Sequence, residues 1–209
     1  MDYEKQIDII GESANKIQLN KVTILTGKNG SGKSLLRKLL ARSIAEKTGK
    51  KDLSHLVASI SMESRSQCKH DFGAFQSLGI DDPENPTGAE SIHNINMIFK
   101  TVKEDSPRYI VIDEPEIGMG EELVAGLVGK LNSMFDPFPK QALGIMVVTH
   151  NRYLVKNLEN AEFVNLEGLT KEEWLNRIII PTNIKQFEDD ALGLYRAINA
   201  RIEKNKSKK

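Results

Sequence analysis

The chain has 209 residues with 29 basic and 29 acidic side chains. That is enough for one domain with an ordinary core, and the balanced charge exerts no net pull on nucleic acid or anionic membrane. A single cysteine, Cys68, excludes an internal disulfide framework and suits a reducing compartment. The N-terminus lacks a signal-peptide core, and no apolar run approaches the roughly 20 residues that span a bilayer. The chain therefore reads as soluble and cytoplasmic, with no membrane partner.

In chain order, "KIQL" and "KVTILTG" read as two strands turning at Asn20. Ser34–Lys47 places Leu35, Leu36, Leu39, Leu40 and Ile44 on one helical face and ends near Gly49. Residues 55–62 read as a further strand, and residues 64–88, rich in Gly, Pro and Asp, as loops with room for a short helix. A helix follows over Glu90–Glu104, closed by Pro107. "RYIVID" (108–113) is a strand ending in carboxylates, Glu121–Phe135 an amphipathic helix, and "ALGIMVVTH" (142–150) another buried strand. A short helix, the strand "EFVNLE" (162–167), a helix over Thr170–Arg177 opened by a Thr-x-x-Glu capping box, and a last helix over about 184–204 complete the pattern. Strands alternating with helices predict a three-layer α/β fold with a mostly parallel sheet. All 209 residues are read as one domain: a core over about 16–167, C-terminal helices over about 170–204, and a basic tail over 204–209 that is solvated.

Gly27-Lys28-Asn29-Gly30-Ser31-Gly32-Lys33-Ser34 fits G-x-x-x-x-G-K-[ST], with an apolar strand before it and a helix after it. The glycines let backbone N–H groups of Asn29, Gly30, Ser31 and Gly32 wrap a phosphate chain. Lys33 can bridge the β- and γ-phosphates, and the Ser34 hydroxyl suits Mg²⁺. A plain Gly-rich strand–helix turn would need neither the lysine nor the hydroxyl at these places.

Asp113 and Glu114 follow "YIVI" at the end of a parallel strand, where ligands bind in open α/β sheets. Asp113 suits the Mg²⁺ role opposite Ser34, and Glu114 can polarise a water for in-line attack on a γ-phosphate. Two solvated acids at a strand end would be the bland alternative, which the phosphate loop upstream disfavours. A second acid serves a hydrolase; a kinase passing phosphate to a small acceptor does not need it. His150, directly after an apolar strand beside that of Asp113, can stabilise charge near the γ-phosphate. Lys33, Glu114 and His150 are thus the expected catalytic groups. His55, His70 and His93 have no comparable setting, and Cys68-Lys69-His70-Asp71 reads as a loop rather than a metal site.

Together these motifs resemble the ATP-binding-cassette (ABC) ATPase superfamily. The resemblance is to its soluble non-transporter branch of SMC-like proteins and predicted ATPases related to the overcoming-lysogenization-defect nucleases. "VIDEPEIGMGEEL" and "VVTHNRYLVKNL" carry that likeness over about residues 16–167. It implies ATP and Mg²⁺ as cofactors, N-terminal antiparallel strands beside the parallel sheet, and a signature segment at a helix start. Thr87-Gly88-Ala89-Glu90 occupies that position, with Ala89 replacing the usual second glycine. Thr87, Gly88 and Glu90 would then touch ATP held by the opposite subunit of an ATP-dependent homodimer.

A glutamine after the strand over 55–62 would contact Mg²⁺. Gln67 follows the strand most closely and Gln76 also qualifies. Tyr3 is the only aromatic upstream of the phosphate loop, and it reads as a mobile terminal residue rather than an adenine platform. The short interval before residue 87 implies a minimal helical subdomain. The resulting expectation is a standalone ATPase serving as motor or switch for a protein partner. DNA repair, recombination and phage or defence biology stay open, and DNA is a partner that no residue selects. An ATP-gated clamp with negligible hydrolysis and a small-molecule kinase are the alternatives.

Overall fold

The central strands are buried on both faces, which is why they read as nearly unbroken apolar runs. The computed structural model describes residues 3–49, 56–61, 87–178 and 184–206. In chain order the elements are α1 (Tyr3–Lys16), β1 (Val22–Thr26), α2 (Lys33–Thr48), β2 (Val57–Ser61), α3 (Thr87–Thr101) and β3 (Arg108–Asp113). There follow α4 (Glu121–Phe135), β4 (Ala142–Val148), α5 (Arg152–Asn157), β5 (Ala161–Asn165), α6 (Lys171–Asn176) and α7 (Ile184–Lys206). The strands form one sheet in the order β2-β3-β4-β1-β5, with every neighbouring pair parallel. Ser61, Asp113, Val148, Leu25 and Val164 stand level across it, one from each strand.

Alternate residues of each central strand feed two separate cores. Val22, Ile24, Ile110, Ile112, Ile145 and Val147 point to the layer built by α3, α4, α5 and α6. Leu25, Tyr109, Val111, Met146 and Val148 point the other way, onto Leu36, Leu40 and Ile44 of α2 and Ile10 and Ala14 of α1. This is the expected three-layer α/β fold. Gly49 closes α2 in a left-handed conformation (φ 67°), as a C-terminal glycine does. The capping box at Thr170 is present: its hydroxyl accepts from the Glu173 N–H at 3.2 Å, and the Glu173 carboxylate accepts from the Thr170 N–H at 2.8 Å.

The N-terminal region departs from expectation. No antiparallel strands precede β1 among the described residues; "KIQL" is the end of α1 followed by a turn, and Asn20 takes φ 57° there. The physical reason lies in Ile10, Ser13, Ala14 and Ile17, all buried at helical spacing against α2. α1 also packs on α7, where the Tyr3 ring lies against Gly193 and Asp8 accepts from Arg201 at 2.9 Å. Tyr3 is thus part of a helix pair. The expected helical subdomain and the loops over 64–86 lie outside the described residues.

Gly144 of β4 stands opposite Tyr109 of β3, and a Cβ there would come within 2.3 Å of the buried Tyr109 ring. Gly144→Ala is therefore expected to destabilise the fold by about 1–3 kcal/mol. Urea denaturation should show a lower midpoint at an unchanged m-value.

Candidate active site

The phosphate loop joins β1 to α2, and its glycines adopt backbone conformations that a side chain disfavours: φ 157° at Gly27, 77° at Gly30 and 99° at Gly32. Space as well as conformation requires glycine here. A Cβ on Gly27 would meet Ser31 Oγ at 2.5 Å, and one on Gly32 would meet Ile10 Cδ1 at 2.3 Å. The Ser31 hydroxyl is buried with no hydrogen-bond partner among the described residues. Lys33 folds back over the loop, donating to the Gly27 carbonyl at 3.0 Å and to Lys28 at 3.3 Å. Burial holds its amine below the usual lysine range, while Glu114 and Asp113 oppose that shift. A desolvated ammonium inside a glycine cradle is a site built for a polyanion.

Asp113 ends β3, and Glu114 follows in the left-handed region at φ 50°, its N–H donating to the Val148 carbonyl at 2.8 Å. A glutamate held there is strained, and the tie to β4 keeps it so. His150 lies two residues beyond β4, and its Nε2 stands 3.5 Å from Glu114 Oε1. The structure thus brings Lys33, Asp113, Glu114 and His150 together from the ends of β1, β3 and β4. Burial first, then Lys33 and Arg177, push the His150 imidazole down to about 4, with Glu167 opposing. At neutral pH the ring is uncharged, and its Nε2 is buried with no hydrogen-bond partner among the described residues. His93 is exposed on α3, away from this cluster, and among the described residues no group of His, Cys, Asp and Glu forms a closed metal site.

The remaining sequence candidates are only partly placed. Asn29, Gly30, Ser31 and Gly32 line the loop, and Thr87 begins α3 with Gly88 and Glu90 in its first turn. α3 feeds the start of β3, so its first turn lies on the side of the sheet where the strands end. The side chains of Ser34 and of residues 87–90, and all of Gln67, Gln76 and Cys68, lie outside the described residues. A serine hydroxyl at the loop and a carboxylate oxygen at Asp113 are the hard donors that magnesium takes.

Sequence reasoning missed four contributors. Gln6 of α1 donates to the carbonyls of Ser31 at 2.9 Å and Leu166 at 3.0 Å, linking the N-terminal helix to the phosphate loop. Glu167 accepts from the Lys28 N–H at 3.1 Å and from Arg177 at 3.0 Å, while Arg177 stacks over Trp174. Asn165 donates to the Thr26 hydroxyl at 2.9 Å and accepts from the N–H groups of Glu167 and Leu169. Glu116 reaches from the loop after β3 to Thr149 and His150 after β4. Gln6 with Ser31 and Leu166, Glu167 with Lys28, Asn165 with Thr26, and Glu116 with Thr149 and His150 lie 25 to 160 positions apart in the chain, and no local pattern announces these meetings.

Residues 23–163 match the family described as ATPases associated with various cellular activities (AAA). The chain belongs to the AAA ATPase family. It is accordingly a nucleotide-binding ATPase, and the match runs from β1 into β5 across every strand of the sheet. No curated protein matches this AAA ATPase.

Among solved structures it is similar to C. elegans PCH-2, with 17% identity, a TM-score of 0.35, and coverage of 78% of this chain and 40% of that one. It is also similar to the Aeropyrum pernix ORC2 protein in ADPNP–ADP complexes, at 12% identity and TM-score 0.35, covering 78% and 47%. A third is the replication initiator DnaA bound to AMPPCP and single-stranded DNA, at 13% identity and TM-score 0.40, covering 96% and 65%. This chain spans less than two thirds of the length of each, and likeness of this degree carries no functional weight. Among the described residues no helix of this AAA ATPase is long and apolar enough to cross a membrane.

His150 gives a pH signature. The unfolded chain takes up its proton at about 6.5 and the folded chain only near 4, so the stability contributed by the neutral ring is full above 6.5. It is lost as pH falls through that window. Wild type should therefore lose more stability than His150→Gln between pH 7 and pH 4.5, read as the difference of their urea midpoints. Equal losses would show that the imidazole is not buried as described.

Proposed function

We propose that this ATPase is an MgATP-driven switch of the soluble ABC-like branch, hydrolysing ATP with Glu114 as the water-orienting base and passing its conformational state to a protein partner. The observation that carries the reading is the convergence of Lys33, Glu114 and His150 at adjacent strand ends, with His150 Nε2 3.5 Å from Glu114 Oε1. Lys33 would leave its loop carbonyls for the β- and γ-phosphates. Ser34 and Asp113 would hold magnesium, with Gln67 added to them; the bound ion supplies neutralisation of the phosphate charge.

Glu114 would accept a hydrogen bond from the attacking water and take its proton as the bond from water oxygen to γ-phosphorus forms and the bond to the leaving ADP oxygen breaks. Neutral His150 would fix the Glu114 carboxylate, and it can donate to developing charge without carrying a cation of its own.

In this reading two copies close head to tail. The first turn of α3, Thr87 to Glu90, of one copy caps the γ-phosphate held by the other, as helix N-termini favour anions. The position of that turn on the side where the strands end supports this geometry, and the reciprocal contact gives a two-fold homodimer. Nucleotide-driven closure of this kind would act on DNA through the partner, since the chain's own 29 basic and 29 acidic side chains balance.

The test is Glu114→Gln. Turnover, measured as phosphate release with and without DNA, should fall by about 10²- to 10³-fold while MgATP affinity stays near wild type. Sedimentation in saturating MgATP should show the variant as a dimer. Undiminished turnover would remove Glu114 from the mechanism, and a variant that stays monomeric would remove the paired arrangement.

A further inference from the structure

Glu116 is the one acid in "DEPE" to which the hydrolytic scheme gives no task. It sits two residues beyond Glu114, with Pro115 between them. Its Oε1 accepts from the Thr149 hydroxyl at 2.5 Å and from the His150 N–H at 3.2 Å. The Thr149 hydroxyl in turn accepts from the Asn151 N–H at 2.9 Å, and the Asn151 side chain caps α5 by accepting from the Leu154 N–H at 3.0 Å. Together with the Glu114 N–H on the Val148 carbonyl, the loop after β3 and the loop after β4 are zipped by contacts at three successive residues, Val148, Thr149 and His150.

The tie is made by a buried acid through one of its two oxygens. Glu116 Oε2 is buried with no partner among the described residues, and burial pushes the carboxyl upward, so the group carries a desolvation cost. Proline restricts the backbone between the two glutamates, so a shift of the Glu116 anchor passes directly to Glu114. One carboxyl group of the pair faces the imidazole of His150, and the other holds the peptide of the same histidine.

We infer that Glu116 is a positioning residue for hydrolysis: by holding the Thr149–His150 backbone it sets the distance between the His150 imidazole and the Glu114 carboxylate. This rests on the hydrolytic reading above, yet the backbone contacts stand independently of it. Loss of the anchor lets His150 move outward, away from Glu114, Lys33, Arg177 and Glu167, the charged groups that surround it. Misplacement of a catalytic pair on this scale costs turnover rather than affinity.

The experiment compares Glu116→Ala, Glu116→Gln and Thr149→Val, the last removing the donor hydroxyl while leaving the acid. Glu116→Ala should lower kcat by about 10- to 100-fold with KM for ATP unchanged. Glu116→Gln keeps an acceptor oxygen and should retain most of the activity; Thr149→Val should fall between, and serves if Glu116→Ala does not fold. In a His150→Ala background Glu116→Ala should cost no further turnover.

NMR titration of His150, which needs no turnover, should move from about 4 toward its ordinary 6.5 in Glu116→Ala and stay in place in Glu116→Gln. A loss of kcat that persists undiminished without His150, a loss confined to KM, or an unmoved His150 titration in Glu116→Ala would overturn the inference. A wild type without ATP turnover would sink the hydrolytic reading instead, leaving the His150 titration to decide the positioning role alone.

Discussion

The parallel ladder through β3, β4 and β1 governs everything that happens above it. Because Asp113, Val148 and Leu25 stand level, the residues that follow them emerge into one small volume: Glu114 one step beyond the row, Thr26 and Gly27 at the phosphate loop, His150 two steps beyond. A slip of one residue in any of these strands would turn its core residues to the other face and carry the reactive side chain with them. The two buried cores, one on each side, prevent that slip. Site geometry is here a consequence of register, and register is a consequence of which side chains are apolar.

Electrostatics in the cleft follow from the same burial. The Lys33 amine and the His150 imidazole are both disfavoured in their charged forms by desolvation, and Lys33 further disfavours the charged form of His150. Asp113 and Glu114 counter this for lysine, so the cleft holds one ammonium facing two carboxylates with a neutral ring beside them. An entering polyphosphate would favour the charged form of Lys33, and the excess of negative charge it meets at Asp113 and Glu114 is what a divalent cation bound there would offset.

Much of this was legible beforehand. β3 and α4 fall where "RYIVID" and Glu121–Phe135 place them, α2 ends at Gly49, and α6 begins at the Thr170 capping box. Buried parallel strands announce themselves as apolar runs, and the phosphate loop carries its mechanism in its spacing.

What escaped was long-range or masked by a local ambiguity. "KIQL" has strand-like alternation, but Ile17 belongs to a helical series begun at Ile10, and that series is visible only when helix α2 is known to cover it. Glu167 with Lys28 and Arg177, and Gln6 with Ser31 and Leu166, are meetings made by the fold itself. In Glu116 the residue was in plain view within "DEPE", yet its partners lie on another strand's loop.

Gln6 and Ile10 have one more implication. The side chain of Gln6 joins the Ser31 and Leu166 carbonyls, and Ile10 fills the volume that a side chain on Gly32 would occupy. The first helix therefore serves as a back wall for the nucleotide loop, and through Asp8 and Tyr3 it leans on the last helix. The first and last described helices are in this way tied to each other, and the first is tied to the phosphate loop, so a displacement of either helix would reach the loop's backbone.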